Sequence, residues 1–280
     1  MTAKEAKKEV DRLTELINHH NELYYQKHTS EISDYEFDQL LNQLIQLEHQ
    51  FPELKLPDSP SQRVGGDITK NFETVVHEYP MLSLGNTYSK EELLDFDKRV
   101  SKGLGSKDFE YFCELKFDGV SISLIYEKGI LVKGITRGDG VRGDNVTTNV
   151  KTIRNIPLRI KSKHLPLKFE VRGEVFLSKT AFAQLNKERE DIGEEVYANA
   201  RNTASGTLKM QNSGEVARRK LDCYVYYLLG ENLNFQSHAD AILQLEKWGF
   251  NVSPTYTKAK SINQVFDYIT KWGNKRLELP

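Results

Sequence analysis

The 280-residue sequence has only two cysteines and no CxxC pair. That excludes a disulfide framework and a four-cysteine zinc site, and leaves Cys113 and Cys223 as buried free thiols by default. The longest apolar run, Cys223 to Leu229, is far too short to span a bilayer. The first residues, Met1-Thr2-Ala3-Lys4-Glu5, lack the apolar core of a secretory leader. A reducing, cytoplasmic setting is expected. There is no excess of charge: 39 Lys+Arg stand against 40 Asp+Glu, a formal net charge of −1. The total therefore does not announce a nucleic-acid binder, although a local basic face remains compatible with it. Internal repeats and low-complexity segments are absent as well.

What is present is an ordinary globular composition, 38% hydrophobic and 28% charged, long enough for one large domain or two smaller ones. The spacing of Val10, Leu13, Leu16, Ile17, Leu23 and Tyr24 predicts a helix over 3–27. Ser33-Asp34-Tyr35-Glu36 reads as a capping box opening a second helix to about Gln50, striped by Phe37, Leu40, Leu41, Leu44 and Leu47. Pro52, Pro57 and Pro60 then forbid a further regular helix. Asp34, Phe37 and Asp38 are expected on one face of this helical hairpin, near Tyr24 and Tyr25. Two acids and several aromatics suit a cationic ring. From the pattern alone, the dipole and packing explain them more simply.

Further along, Ser89-Lys90-Glu91-Glu92 predicts another capping box and a helix to about Ser101, ended by Gly103 and Gly105. Residues 109–117, 119–126 and 130–137 read as a meander turning at Glu127-Lys128-Gly129. Leu167–Leu177 and Leu221–Leu229 read as strands, with a helix from Ser178 to about Glu190 and two more near 238–248 and 261–273. The loop Gly138-Asp139-Gly140-Val141-Arg142-Gly143 matches GxGxxG. It follows short consecutive strands, however, and no acid stands near residue 160 where a ribose ligand is required. A Rossmann turn is therefore rejected in favour of a sharply turning loop with Arg137 at its base.

The chemistry concentrates in Glu114-Leu115-Lys116-Phe117-Asp118-Gly119. Three charges in five residues inside an apolar region cost several kcal/mol unless paired or used. A lysine between two acids beside a glycine suits a nucleophilic amine facing a phosphate. An alternating charged hairpin at the surface explains the pattern about equally well.

The remaining motifs break that tie. Glu114–Gly119 resembles the KxDG element of the nucleotidyltransferases, among them DNA ligases, RNA ligases and mRNA capping enzymes. With Asp58-Ser59-Pro60, Arg63-Val64-Gly65-Gly66, Met81-Leu82-Ser83-Leu84, Thr136–Gly140, Val171-Arg172-Gly173-Glu174 and Ala200-Arg201-Asn202, the chain resembles the bacterial NAD-dependent DNA ligases from its first helix to Pro280. The resemblance implies an α+β fold: a helical module over 1–68 binding the nicotinamide mononucleotide (NMN) half of NAD, then an ATP-grasp-like nucleotidyltransferase domain over 69–280, mainly antiparallel sheets with helices. It implies that Lys116 attacks the α-phosphate of NAD, that the adenylate passes to the 5′-phosphate of a nick in double-stranded DNA during replication and repair, and that the 3′-hydroxyl then seals it.

By the same resemblance Glu114 reads adenine, with Ser83 and Leu84 lining that pocket and Tyr226 stacking on the base. Arg137 and Glu174 contact ribose and phosphate, and Asp118 orients the lysine and the ribose. Tyr24, Tyr25, Asp34 and Asp38 hold the NMN half, and Arg201 and Lys209 face the nick. Magnesium is implied too. Its charge, with that of the nicotinamide, favours an unprotonated amine against two flanking carboxylates. A cytoplasmic, nucleoid-associated bacterial monomer is expected.

Two positions and one stretch depart from the family: Phe37 stands where tyrosine is common, Lys209 where arginine is usual, and Val141–Asp144 is unusually basic. Family members also continue past Pro280 into a strand with another active-site lysine, an OB-fold, a zinc site, helix-hairpin-helix repeats and a BRCT domain. The chain is therefore expected to be a fragment that binds NAD, adenylates itself poorly and does not seal nicks. The alternatives are an ATP-dependent nucleotidyltransferase, which the helical hairpin argues against, and a nucleotide- or DNA-binding module without chemistry.

Overall fold

The computed structural model describes residues 2–26, 31–63, 71–162, 164–276 and 279. The side chains of Tyr24, Tyr25, Gln26 and Asp34 lie outside the described set. Helices α1 (Ala3–Gln26) and α2 (Asp34–Gln50) pair as a hairpin. The Ser33 capping box is complete: its hydroxyl accepts from Glu36 N–H while the Glu36 carboxylate accepts from Ser33 N–H at 2.8 Å. The hairpin has its own small core of Val10, Leu13, Ile17 and Leu44. Phe37 packs onto that core while Asp38 is exposed. The third member of the expected common face, Asp34, has its side chain outside the described residues. Neighbouring helical residues point about 100° apart, and burial claims the aromatic one.

Proline-rich residues 52–63 form only two short 3₁₀ turns, and they fasten the hairpin to the rest of the chain. Arg63 donates through both terminal nitrogens to the carbonyls of Ile153 and Ile156, at 3.0 Å each. Buried Asp58 pairs with Arg159, and the Ser59 hydroxyl donates to buried Glu48. The Asp-Ser-Pro and Arg63 motifs thus form a joint. The module boundary expected at residue 68 falls outside the described residues.

The larger core surrounds a four-stranded antiparallel sheet in the order β4-β3-β6-β7, from β3 (Val120–Glu127), β4 (Ile130–Thr136), β6 (Lys168–Phe176) and β7 (Asp222–Leu229). The β3–β4 hairpin turns at Lys128 and Gly129, both at positive φ. The expected meander is corrected at its first strand. β2 is only Tyr111–Cys113 and pairs with β8 (Thr257–Ala259), not with β3, so residues 114–119 are a loop between sheets. β1 (Thr74–Val76) pairs with β5 (Arg142–Asp144), and β5 follows the glycine loop where a Rossmann turn would start a helix.

Helix α3 (Lys90–Leu104) runs through Gly103 and ends at Gly105 in the left-handed region. The Ser89 hydroxyl caps it, but Glu92 accepts from Tyr88 N–H, so the box does not close on Ser89. Helices α5 (Lys179–Asp191), α6 (Ala200–Leu208), α8 (His238–Lys247) and α9 (Ile262–Lys275) flank the sheets, with one-turn α4 (Thr147–Val150) and short α7 (Ser213–Arg218) between them. Cys223 is buried as expected, whereas Cys113 is only half-buried on its short strand.

Candidate active site

Gly119 explains why the Lys116 loop takes its shape. A Cβ there would lie 2.2 Å from the Val175 carbonyl oxygen, so only glycine lets the chain pass that close to β6 as it enters β3. Its N–H donates to Glu174 Oε1 at 3.2 Å, and the Ser121 hydroxyl donates to Glu174 Oε2 at 2.7 Å. Ser121 and Glu174 are register partners on β3 and β6, so sheet pairing sets this clasp. Phe117 supplies a second anchor. Its ring lies 4.7 Å from Tyr224 and 5.9 Å from Phe176, on the same sheet face as Glu174. With Phe117 pinned, its neighbours Lys116 and Asp118 are left exposed.

Burial raises the Glu174 carboxyl above its ordinary range, opposed by the bonds from Ser121 and Gly119 and by the charges of Lys116 and Arg201. The sheet thus carries a half-buried acid that senses both cations. Arg201, on α6, pairs with Asp118 at 3.0 Å, and both side chains are mostly exposed (56% and 69%). Tyr226 lies on β7 beside Ser121, and burial raises its phenol.

Arg137 directly follows β4 and donates to the Met81 carbonyl at 3.2 Å and the Ser83 hydroxyl at 2.7 Å. Arg172, only 11% exposed, donates to the Tyr79 and Pro80 carbonyls and pairs with buried Glu170 at 2.6 Å. Two arginines therefore hold the 79–83 segment against the site. Leu82 and Leu84, in and just past this segment, stand 83% and 77% exposed. The glycine loop docks here too: Met81 N–H donates to Gly140 O at 2.8 Å, and Gly140 sits at φ +92.

Among known proteins, residues 69–280 match the NAD-dependent DNA ligase adenylation domain, and residues 3–65 match the DNA ligase-like N-terminal NAD+-binding domain. The chain belongs to the NAD-dependent DNA ligases. It is 54% identical over 271 residues to a DNA ligase of Cytophaga hutchinsonii, covering 97% of this chain and 40% of that one. It is 53% identical over 271 residues to one of Phocaeicola vulgatus, covering 97% and 41% respectively. A DNA ligase of Bacteroides fragilis is 50% identical over 279 residues, covering all of this chain and 41% of its own length. The chain therefore spans about 40% of the length of these relatives.

In this ligase domain the structure gathers Lys116, Asp118, Glu174, Arg201 and Tyr226 around the start of β3, with Arg137 and Ser83 joined beside them. Glu114 stands at the end of β2, bonded to His238 at 3.3 Å. Lys209 is held by Asp144 at 2.6 Å. Asp38 is exposed on α2. The positions expected to complete the NMN side, Tyr24, Tyr25 and Asp34, have side chains outside the described residues. Sequence reasoning missed Ser121, Phe117 and His238, and Arg172 as a clamp. Ser121 carries a signal, since it lies two residues past the glycine on the sheet's site face. His238 carries none, being 124 residues from Glu114.

The residues fit a dinucleotide: three cations (Lys116, Arg137, Arg201) and an exposed apolar edge flank one clasped acid. Among the described residues, metal-capable side chains gather in threes only at His19, His20 and Glu31 in the hairpin. Asp118 and Glu174 are not part of that group.

Proposed function

We propose that this chain performs the first step of DNA ligation, self-adenylation from NAD. Lys116 Nζ attacks the α-phosphate, a nitrogen–phosphorus bond forms, the bond to the NMN phosphate breaks, and the amine proton passes to solvent. The observation that carries this reading is an exposed amine on a loop fixed by the Gly119–Glu174 clasp and the Phe117 anchor. Such pre-positioning supplies most of what phosphoryl-type transfer asks of a protein.

Glu114, Ser83, Leu84 and Tyr226 hold the adenine. Arg137 and Glu174 hold ribose and phosphate, and Asp118 orients the lysine. Tyr24, Tyr25, Asp34 and Asp38 hold NMN, in a helical module over 1–68 joined to an adenylation domain over 69–280. Magnesium, when bound, supplies positive charge at the phosphates. In the whole ligase the adenylate moves to a nicked duplex, which Arg201 and Lys209 approach. A monomer in the bacterial cytoplasm suits that work.

The test is incubation with NAD or ATP labelled in the adenylate half. Label on Lys116 from NAD, abolished in Lys116→Ala with NAD affinity kept within about threefold, is the expected result. Label from ATP but not NAD, or label surviving in Lys116→Ala, would overturn the proposal.

A further inference from the structure

The reading of Glu114 as the adenine-contacting acid leaves its orientation unexplained, because a carboxylate at the end of a three-residue strand has free rotamers to lose. The structure supplies a partner from a distant element. His238 opens α8 behind the N-cap Ser237, whose hydroxyl accepts from Asp240 N–H. Its Nε2 lies 3.3 Å from Glu114 Oε2. An ionised carboxylate only accepts, so Nε2 carries the proton of this bond.

The imidazole is itself held on two sides. It meets the Phe112 ring edge-on at 5.1 Å and 81°, and it tilts against Tyr227 at 5.5 Å. Phe112 in turn stacks on Tyr256 at 5.2 Å. Phe112 belongs to β2, two residues before Glu114. The same ring therefore packs on the strand that carries the acid and bonds the acid itself.

We propose that His238 is a positioning residue for base selection: by occupying Glu114 Oε2 it aims Oε1 at the exocyclic amino group of adenine. This rests on the proposed reading of Glu114. With one oxygen committed to a donor, the carboxylate presents a fixed acceptor. That acceptor matches the N6 amino group of adenine and opposes the O6 carbonyl of hypoxanthine. Discrimination between the two bases then depends on a residue that touches neither.

The experiment compares equilibrium binding, by calorimetry, of NAD and of nicotinamide hypoxanthine dinucleotide to the full chain. One satisfied against one opposed hydrogen bond predicts about a tenfold preference for NAD in the wild type. Glu114→Gln removes the preference. His238→Ala weakens NAD binding about fivefold and leaves the analogue within about twofold. His238→Phe, which keeps the ring packing without the donor, behaves as His238→Ala does, and His238→Gln, which restores a donor, recovers most of the preference.

If Glu114→Gln removes the preference but His238→Ala and His238→Phe keep it, the His238 inference is overturned while the adenine reading stands. Equal weakening of both nucleotides in His238→Phe would reduce His238 to a packing role and also sink the inference. A wild-type preference unchanged in Glu114→Gln, or no preference at all, overturns the adenine reading and the inference with it.

Discussion

The two sides of the Lys116 loop are built differently. On the sheet side the charged groups are engaged: Glu174 takes Gly119 and Ser121, Arg172 takes Glu170 and two carbonyls, and Arg137 takes Met81 and Ser83. On the open side Lys116, Asp118 and Arg201 are exposed, and Asp118 and Arg201 form a surface ion pair. The sheet side resembles a protein core and should behave like one. The open side holds groups whose work begins when something else arrives. Stability and chemistry are thereby separated across one turn of chain, and substitutions on the two sides should separate them again.

The sheet side should break first at Arg172. Glu170 is 2% exposed, and its carboxylate pairs with Arg172. Arg172→Met leaves a buried carboxylate unpaired, at a cost of about 3–5 kcal/mol. Thermal melting should drop by roughly 10 °C. The double variant Arg172→Met, Glu170→Gln should recover more than half of the loss. A drop no smaller in the double variant would show that the carbonyl bonds to Tyr79 and Pro80, not the buried charge, set the cost.

Gly119→Ala should come next. The obstructing atom at 2.2 Å is a backbone oxygen of a central strand, which cannot rotate away. The strand pair must spread, at about 2 kcal/mol, with melting lowered by roughly 4–8 °C. If the melting point holds, the clasp is less tight than its geometry implies.

Glu174 gives a smaller effect of opposite sign. Burial raises its folded-state carboxyl above the ordinary value of 4.5. A raised acid favours the protonated form in the folded state. Its contribution to stability is therefore fully present below pH 4.5 and is lost as pH rises through the folded value. Glu174→Gln cannot ionise and should escape that loss. Melting scans from pH 4 to 7 should find the variant level with the wild type at the acid end and roughly 1–3 °C higher at pH 7. A variant less stable at pH 7 would mean that the clasp prefers the carboxylate by more than burial costs it.

Local chemistry made much of this legible in the sequence. The Ser33 box, the left-handed stop at Gly105 and the Lys128–Gly129 turn are each decided within a few residues, and each appears as expected. The β2–β8 pairing joins two three-residue strands more than 140 residues apart, and strands that short carry no period to read. Phe37 was legible too: helical spacing puts it in the apolar stripe, and it packs with Leu40, Leu41 and Leu47 on the hairpin core. In the site, the KxDG stretch announces its reactive groups through charge. Its supports, Ser121, Arg172 and His238, are ordinary strand and helix residues until the sheet brings them together.

The open side should yield the smallest change in stability. Asp118 and Arg201 meet at 3.0 Å with both side chains mostly in water, where such a pair contributes at most about 1 kcal/mol. Asp118→Asn should therefore melt within about 2 °C of the wild type. If Asp118 orients the amine and the ribose, as proposed, the same change should slow labelling of Lys116 from NAD by roughly a hundredfold, because it removes the carboxylate that positions the reacting groups. Arg201→Ala offers the contrasting case. It breaks the same ion pair, so it too should leave melting unchanged. It leaves the Asp118 carboxyl group in place, however, so labelling should fall far less than in Asp118→Asn. Equal losses in the two variants would mean that the ion pair, not the Asp118 carboxylate, is what the adenylation step requires.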